Sequence, residues 1–157
     1  ALYLEAQRVE PTLAFARDGR ERAAPRAELS RRLRELAGRP EQIWTAQGRA
    51  AARRVLTTAR AVAAPGPVLT RERDTLEALI AAAETPVRVS LRSDGVTEIV
   101  VYRVGRLGAF AQRDLELVPG QYTIVGTRNG YRDVRREVLV EPGKPPEPVE
   151  IRCEEAI

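Results

Sequence analysis

The stretch Leu115–Val134, LELVPGQYTIVGTRNGYRDV, decides how the fold is read. Apolar residues alternate with polar ones around two turn signals, Pro119-Gly120 and Asn129-Gly130, and period-two alternation broken by such pairs is the pattern of short β-strands. The first pair predicts a hairpin that sets Leu117 opposite Tyr122. The second suits a turn needing positive φ, with Tyr131 laid against the sheet edge and its hydroxyl free to reach solvent or backbone.

Outward from this stretch the same period continues. Strands are expected at Val87–Arg92, Thr97–Val104, Arg113–Val118, Tyr122–Thr127, Val134–Val140 and Val149–Cys153. Ser93-Asp94-Gly95 predicts a tight hairpin between the first two, and the nearly continuous apolar run EIVVYRV predicts a central strand. EPGKPPEP, from Glu141 to Pro148, is a proline-stiffened connection that does not fit inside a sheet. YRVGRLGAF, from Tyr102 to Phe110, is expected to cross between strands on its glycines, or to form a loop presenting Arg106 to a carboxylate or phosphate. Six strands at this spacing predict a small antiparallel β-sandwich.

Upstream the composition changes. Of the 23 alanines, 20 precede Pro86. Helices are expected over Leu2–Arg17, interrupted at Pro11; from Pro25, in a first-turn position, to Gly38; from Pro40 to about Ala64; and from Arg71 to Glu84 behind Thr70 as N-cap. The expected class is therefore α+β: a helical unit of three to four helices over residues 1–85, as a bundle or a stalk, and a sandwich over 86–157.

The pattern of Leu115 and Leu117 before Pro119-Gly120, then Tyr122 and Ile124, Gly130-Tyr131, and Val138 and Val140 before Gly143 resembles the PEGA-type module of bacterial and archaeal envelope and signalling proteins. Transthyretin-like and carboxypeptidase-regulatory-like sandwiches share it. The resemblance implies a non-catalytic module of a membrane-anchored or secreted bacterial protein, serving binding or spacing. It covers the β half alone.

Charge and chemistry narrow the function classes. The 26 basic residues, all arginine except Lys144, exceed the 22 acidic ones by four. The excess lies before residue 87; residues 87–157 hold 11 basic and 11 acidic side chains, and the interleaved acids argue against a nucleic-acid module. With no histidine, Ser-His-Asp and Cys-His sites and histidine-ligated zinc are excluded. Cys153 is alone and reads as a small packed side chain. No cofactor motif is present, and the expectation is a non-enzyme.

The longest apolar runs fall short of the ~20 residues a membrane helix needs, so any anchor would lie outside this sequence, which has no methionine and reads as part of a longer or processed chain. The candidate binding surface comprises Arg103, Arg106, Arg128, Tyr131, Arg132, Arg135, Arg136 and Trp44. Trp44 reads either as a partner anchor or as a core or interface residue. Two functions follow: a protein-interaction, self-association or spacer module, or a regulatory domain recognising an anionic polymer or phosphate through its arginines.

Overall fold

The computed structural model describes residues 14–157. The fold is α+β. Among the described residues four helices, α1 (Ala14–Ala37), α2 (Pro40–Ile43), α3 (Ala46–Arg60) and α4 (Gly66–Glu84), precede seven strands in two sheets, and the chain divides into two compact units within α4, at Ile80 and Ala81.

In the helical unit, α1 buries Leu29 and Leu33, one turn apart, and α3 buries Ala52, Leu56 and Ala59. Ile43 of α2 is buried with them, as are Leu69 and Leu76 of α4. Alanine on α3 lets the helices approach closely. Glu72 of α4 ties back to α1, accepting the Ser30 hydroxyl and standing 3.2 Å from Arg34 Nε.

The helix boundaries differ from expectation in three places, and the first expected helix, Leu2–Arg17, lies largely outside the described residues. Pro25 is inside α1 rather than at a helix start. Proline already holds a helical φ and forfeits one amide bond, so alanine-rich flanks carry the helix through it. The single helix expected from Pro40 is cut after Ile43 because Thr45 turns extended (φ −85°, ψ 151°) and its hydroxyl caps α3 by accepting from Gly48 N at 3.0 Å. Gly48 is required there, since a Cβ would strike the Gln42 carbonyl. Thr70 is not a cap either, because α4 begins at Gly66, with Pro67 in its first turn. Thr45→Ala should cost about 1 kcal/mol, read as a shift in denaturation midpoint.

The strands are β1 (Val87–Arg92), β2 (Glu98–Val101), β3 (Gly105–Ala109), β4 (Gln112–Leu117), β5 (Gly120–Thr127), β6 (Val134–Val140) and β7 (Val149–Glu150). They form a three-stranded sheet, ordered β4-β1-β7, and a four-stranded sheet, ordered β3-β2-β5-β6. Alternate residues point between the sheets: Val87, Val89 and Leu91 from one, and Ile99, Val101, Tyr122, Ile124, Val138 and Val140 from the other, with Leu117 and Ile151 completing the core. Each such side chain contributes roughly 1.5–3 kcal/mol by leaving water.

Two expected hairpins are instead sheet-to-sheet crossings. Ser93-Asp94-Gly95 joins β1 to β2, and Pro119-Gly120 joins β4 to β5, in each case between different sheets. The Tyr122 hydroxyl, donating to the Val118 carbonyl at 2.9 Å, ties the second crossing to the core. Asn129-Gly130 does close a hairpin, β5 to β6, with Gly130 at φ 78°. The strand expected over Thr97–Val104 ends at Val101, and the segment expected to cross over is the added strand β3, paired antiparallel with β2 through a bulge at Ile99/Val100. Its turn carries Arg103 at φ 70°, a position no glycine or asparagine advertises. The sandwich is not wholly antiparallel: β7 runs parallel to β1, and the strand expected over Val149–Cys153 is regular only to Glu150.

The C-terminal segment then bridges the sheets. Ile151 N donates to Arg92 O at 2.9 Å in the first sheet, and Arg132 N donates to Glu155 O at 2.8 Å beside the second. Between them Cys153 is buried against Gly126, its thiol 3.3 Å from the Gly126 carbonyl.

Candidate functional site

The Asn129-Gly130 turn gathers the densest set of predicted residues. Arg128 and Tyr131 flank it, the guanidinium 4.0 Å from the ring centroid, a cation–π contact. Arg128 Nη1 also lies 3.8 Å from Asp94 Oδ2. Asp94 holds the crossing from β1 to β2. Its Oδ1 accepts from Val96 N at 3.0 Å and Thr97 N at 2.8 Å, and its Oδ2 accepts the Thr97 hydroxyl at 3.0 Å. Burial raises the carboxyl pKa, but these backbone and hydroxyl donors outweigh it and lower the value to about 2.

Thr97, fully buried, uses the same hydroxyl to accept from Cys153 N at 3.3 Å. Asp94, Thr97 and the C-terminal segment are thus one polar connection under the turn. An open depression of about 680 Å³ beside it is lined by Glu98, Arg128, Asn129, Tyr131, Asp133 and Ile157 among others.

Beyond the turn Arg132 and Arg135 are matched by acids. The Arg132 guanidinium is 3.1 Å from the Glu155 carboxylate, and Arg135 Nη2 is 3.4 Å from Glu137 Oε1. Arg136 has no ion-pair partner among the described residues and lines a smaller depression of about 330 Å³ with Arg152, Glu154 and Glu155.

The remaining predicted residues lie elsewhere. Arg103 occupies the turn after β2, at the end of that strand away from Thr127, which pairs with Glu98. Arg106 sits on edge strand β3, in the row Arg106, Val100, Val125, Arg135, so three strand spacings, roughly 14 Å, separate it from Arg135. The arginines are not one patch. Trp44 belongs to the helical unit, half-buried at the C-terminus of α2, where its carbonyl accepts from Arg49 Nη1 at 2.7 Å.

Sequence reasoning passed over Asp94, Thr97 and Glu155 as site-forming residues. Asp94 placed three residues before Thr97 is an Asx-turn signal; it competes with the hairpin reading of Asp-Gly. Among the described residues no group of three or more His, Cys, Asp or Glu is placed to hold a metal, and no helix is long and apolar enough to cross a membrane.

No protein-family model matches the chain, and no curated protein matches it in sequence.

Proposed function

We propose that the chain is a non-catalytic protein-interaction module, its sandwich serving as the binding part of a larger bacterial envelope or signalling protein. The observation that carries this reading is the internal pairing of the arginines. Arg128, Arg132 and Arg135 each face a carboxylate of the same unit. The 11 basic and 11 acidic side chains of residues 87–157 therefore offer little net field to a polyanion, which binds by collecting unpaired positive charge. The envelope setting and an anchor outside this sequence rest on the PEGA-like pattern of the strands.

What the sandwich offers a protein is backbone and apolar surface. Among the described residues, edge strands β3 and β6 each pair on one side only, and Tyr102, Val104 and Leu139 stand 52, 44 and 51% exposed.

Calorimetric titration with polyphosphate at low and at physiological salt tests the reading. No saturable binding is expected at physiological salt. Tight, steeply salt-dependent binding that is lost in Arg106→Ala or Arg132→Ala would establish the anion-binding alternative instead.

A further inference from the structure

The β2–β3 hairpin carries positive charge without acid. Residues 99–113 hold three arginines and no carboxylate, although residues 87–157 balance overall. Arg113 donates to the Leu107 carbonyl at 2.9 Å, while Arg103 and Arg106 have no ion-pair partner among the described residues.

The tip of this hairpin is strained and apolar. Val104 N donates to Val101 O at 3.1 Å, closing a four-residue turn whose third position is Arg103, at φ 70°. Such turns take glycine there, because a Cβ is strained at positive φ. An arginine held in that conformation marks a position kept for its side chain rather than for its backbone. On either side of it Tyr102 and Val104 are exposed.

A third exposed apolar side chain stands at the same end of the four-stranded sheet. Tyr102 N donates to Thr123 O at 2.9 Å, and Leu139 pairs with Gln121, so Leu139 lies two strand spacings across and two residues along, roughly 12 Å away. The acids at this end are already matched: Glu137, opposite Thr123, is 3.4 Å from Arg135, and Glu141 is 2.9 Å from Lys144.

We infer that the β2–β3 tip docks on an anionic lipid surface, with Tyr102 and Val104 entering the headgroup region and Arg103 and Arg106 facing lipid phosphates. Shape and size select the occupant. Two apolar side chains on a convex turn fall far short of the ~800 Å² that each partner contributes to a stable protein interface. A bilayer surface is flat and needs only shallow insertion. Each arginine beside anionic headgroups strengthens partitioning about fivefold, so the attachment is weak, reversible and salt-sensitive, suited to a second contact beside another anchor. A soluble polyanion meets the same arginines without the apolar contribution, which keeps lipid docking separable from polyphosphate binding. The inference goes beyond the protein-interaction reading and leaves edge strand β6 free for a protein.

Flotation of the full chain at low salt tests it, with vesicles of phosphatidylcholine alone and of phosphatidylcholine and phosphatidylserine in equal parts. The chain should float with the anionic vesicles only. Arg103→Gly and Arg106→Ala should each lower the partition coefficient about fivefold. The double variant Tyr102→Ser/Val104→Ser, which keeps every charge, should lower it about tenfold, circular dichroism verifying its fold. Arg103→Gly has a second readout: its denaturation midpoint should rise, because glycine suits the turn, so weaker flotation there is no folding defect. Wild type that stays unbound at both compositions, or floats no better than the variants, overturns lipid docking. Flotation that falls with the arginines but not with Tyr102→Ser/Val104→Ser overturns it as well, reducing the tip to a general anion contact. None of these outcomes alters the polyphosphate calorimetry, on which the interaction reading itself stands or falls.

Discussion

Gly126→Ala should destabilise the sandwich by about 3 kcal/mol, the high end for an overpacked core, and Gly126→Val should prevent its folding. The cause is the close passage of the C-terminal segment beneath β5. A Cβ on Gly126 would lie 2.6 Å from Ile151 Cγ2 and 2.9 Å from Thr97 Cγ2. Neither neighbour can yield: both are fully buried, Ile151 within the core and Thr97 held by Asp94. Denaturant unfolding of the full chain, followed on the β-sheet signal, measures the loss. The double variant Gly126→Ala/Ile151→Ala adds the clashing methyl while removing the group it strikes. Its two costs should combine to at least about 1 kcal/mol less than their sum. Strict additivity would show that the close approach is not what makes glycine necessary.

The second large effect belongs to Asp94. In Asp94→Ala the amides of Val96 and Thr97 and the buried Thr97 hydroxyl lose their acceptor together, and Arg128 loses its carboxylate neighbour. Leaving such donors unsatisfied costs about 2–3 kcal/mol. The same contacts set a pH dependence. The folded-state pKa, about 2, is below the ordinary value of 3.8, so the stabilisation is fully present above pH ~4 and is lost as pH falls toward ~2. Asp94→Asn keeps an acceptor but no titration, and its unfolding midpoint should change less than that of wild type across this window. Glu28, held down to about 2 by hydrogen bonds from Arg31 and then Arg32, titrates in the same window. It sits on an exposed helix face, where solvent and salt screen it. The difference between the wild-type and Asp94→Asn curves therefore isolates the Asp94 turn, and curves that run parallel would remove Asp94 from its proposed role.

What could be read from the sequence was local. Alternation located β1, β5 and β6, and Asn129-Gly130 marked the one hairpin whose turn type a dipeptide specifies. Sheet membership was not local. Asp-Gly and Pro-Gly serve equally well to reverse a strand within one sheet or to carry the chain to the other, and only packing decides. β3 went unread because its turn puts an arginine, Arg103, at positive φ.

The candidate surface failed to assemble for the same reason. Its arginines were visible individually, but Glu155 is 23 residues from Arg132 in sequence, and Arg128 meets Asp94 only because the crossing brings them together. A charge count showed that the sandwich was neutral overall. It could not show that Arg128, Arg132 and Arg135 each face a carboxylate.

That pairing is the central claim, and releasing it is the most direct test. The full chain and its Glu137→Gln/Glu155→Gln variant are applied to immobilised polyphosphate, and the salt concentration that elutes each is measured. Wild type should pass through at physiological ionic strength, while the variant, with Arg132 and Arg135 freed, should be retained and elute only at higher salt. Wild type retained as strongly as the variant, with retention lost on Arg132→Ala, would contradict the account and make the arginines an anion-binding site.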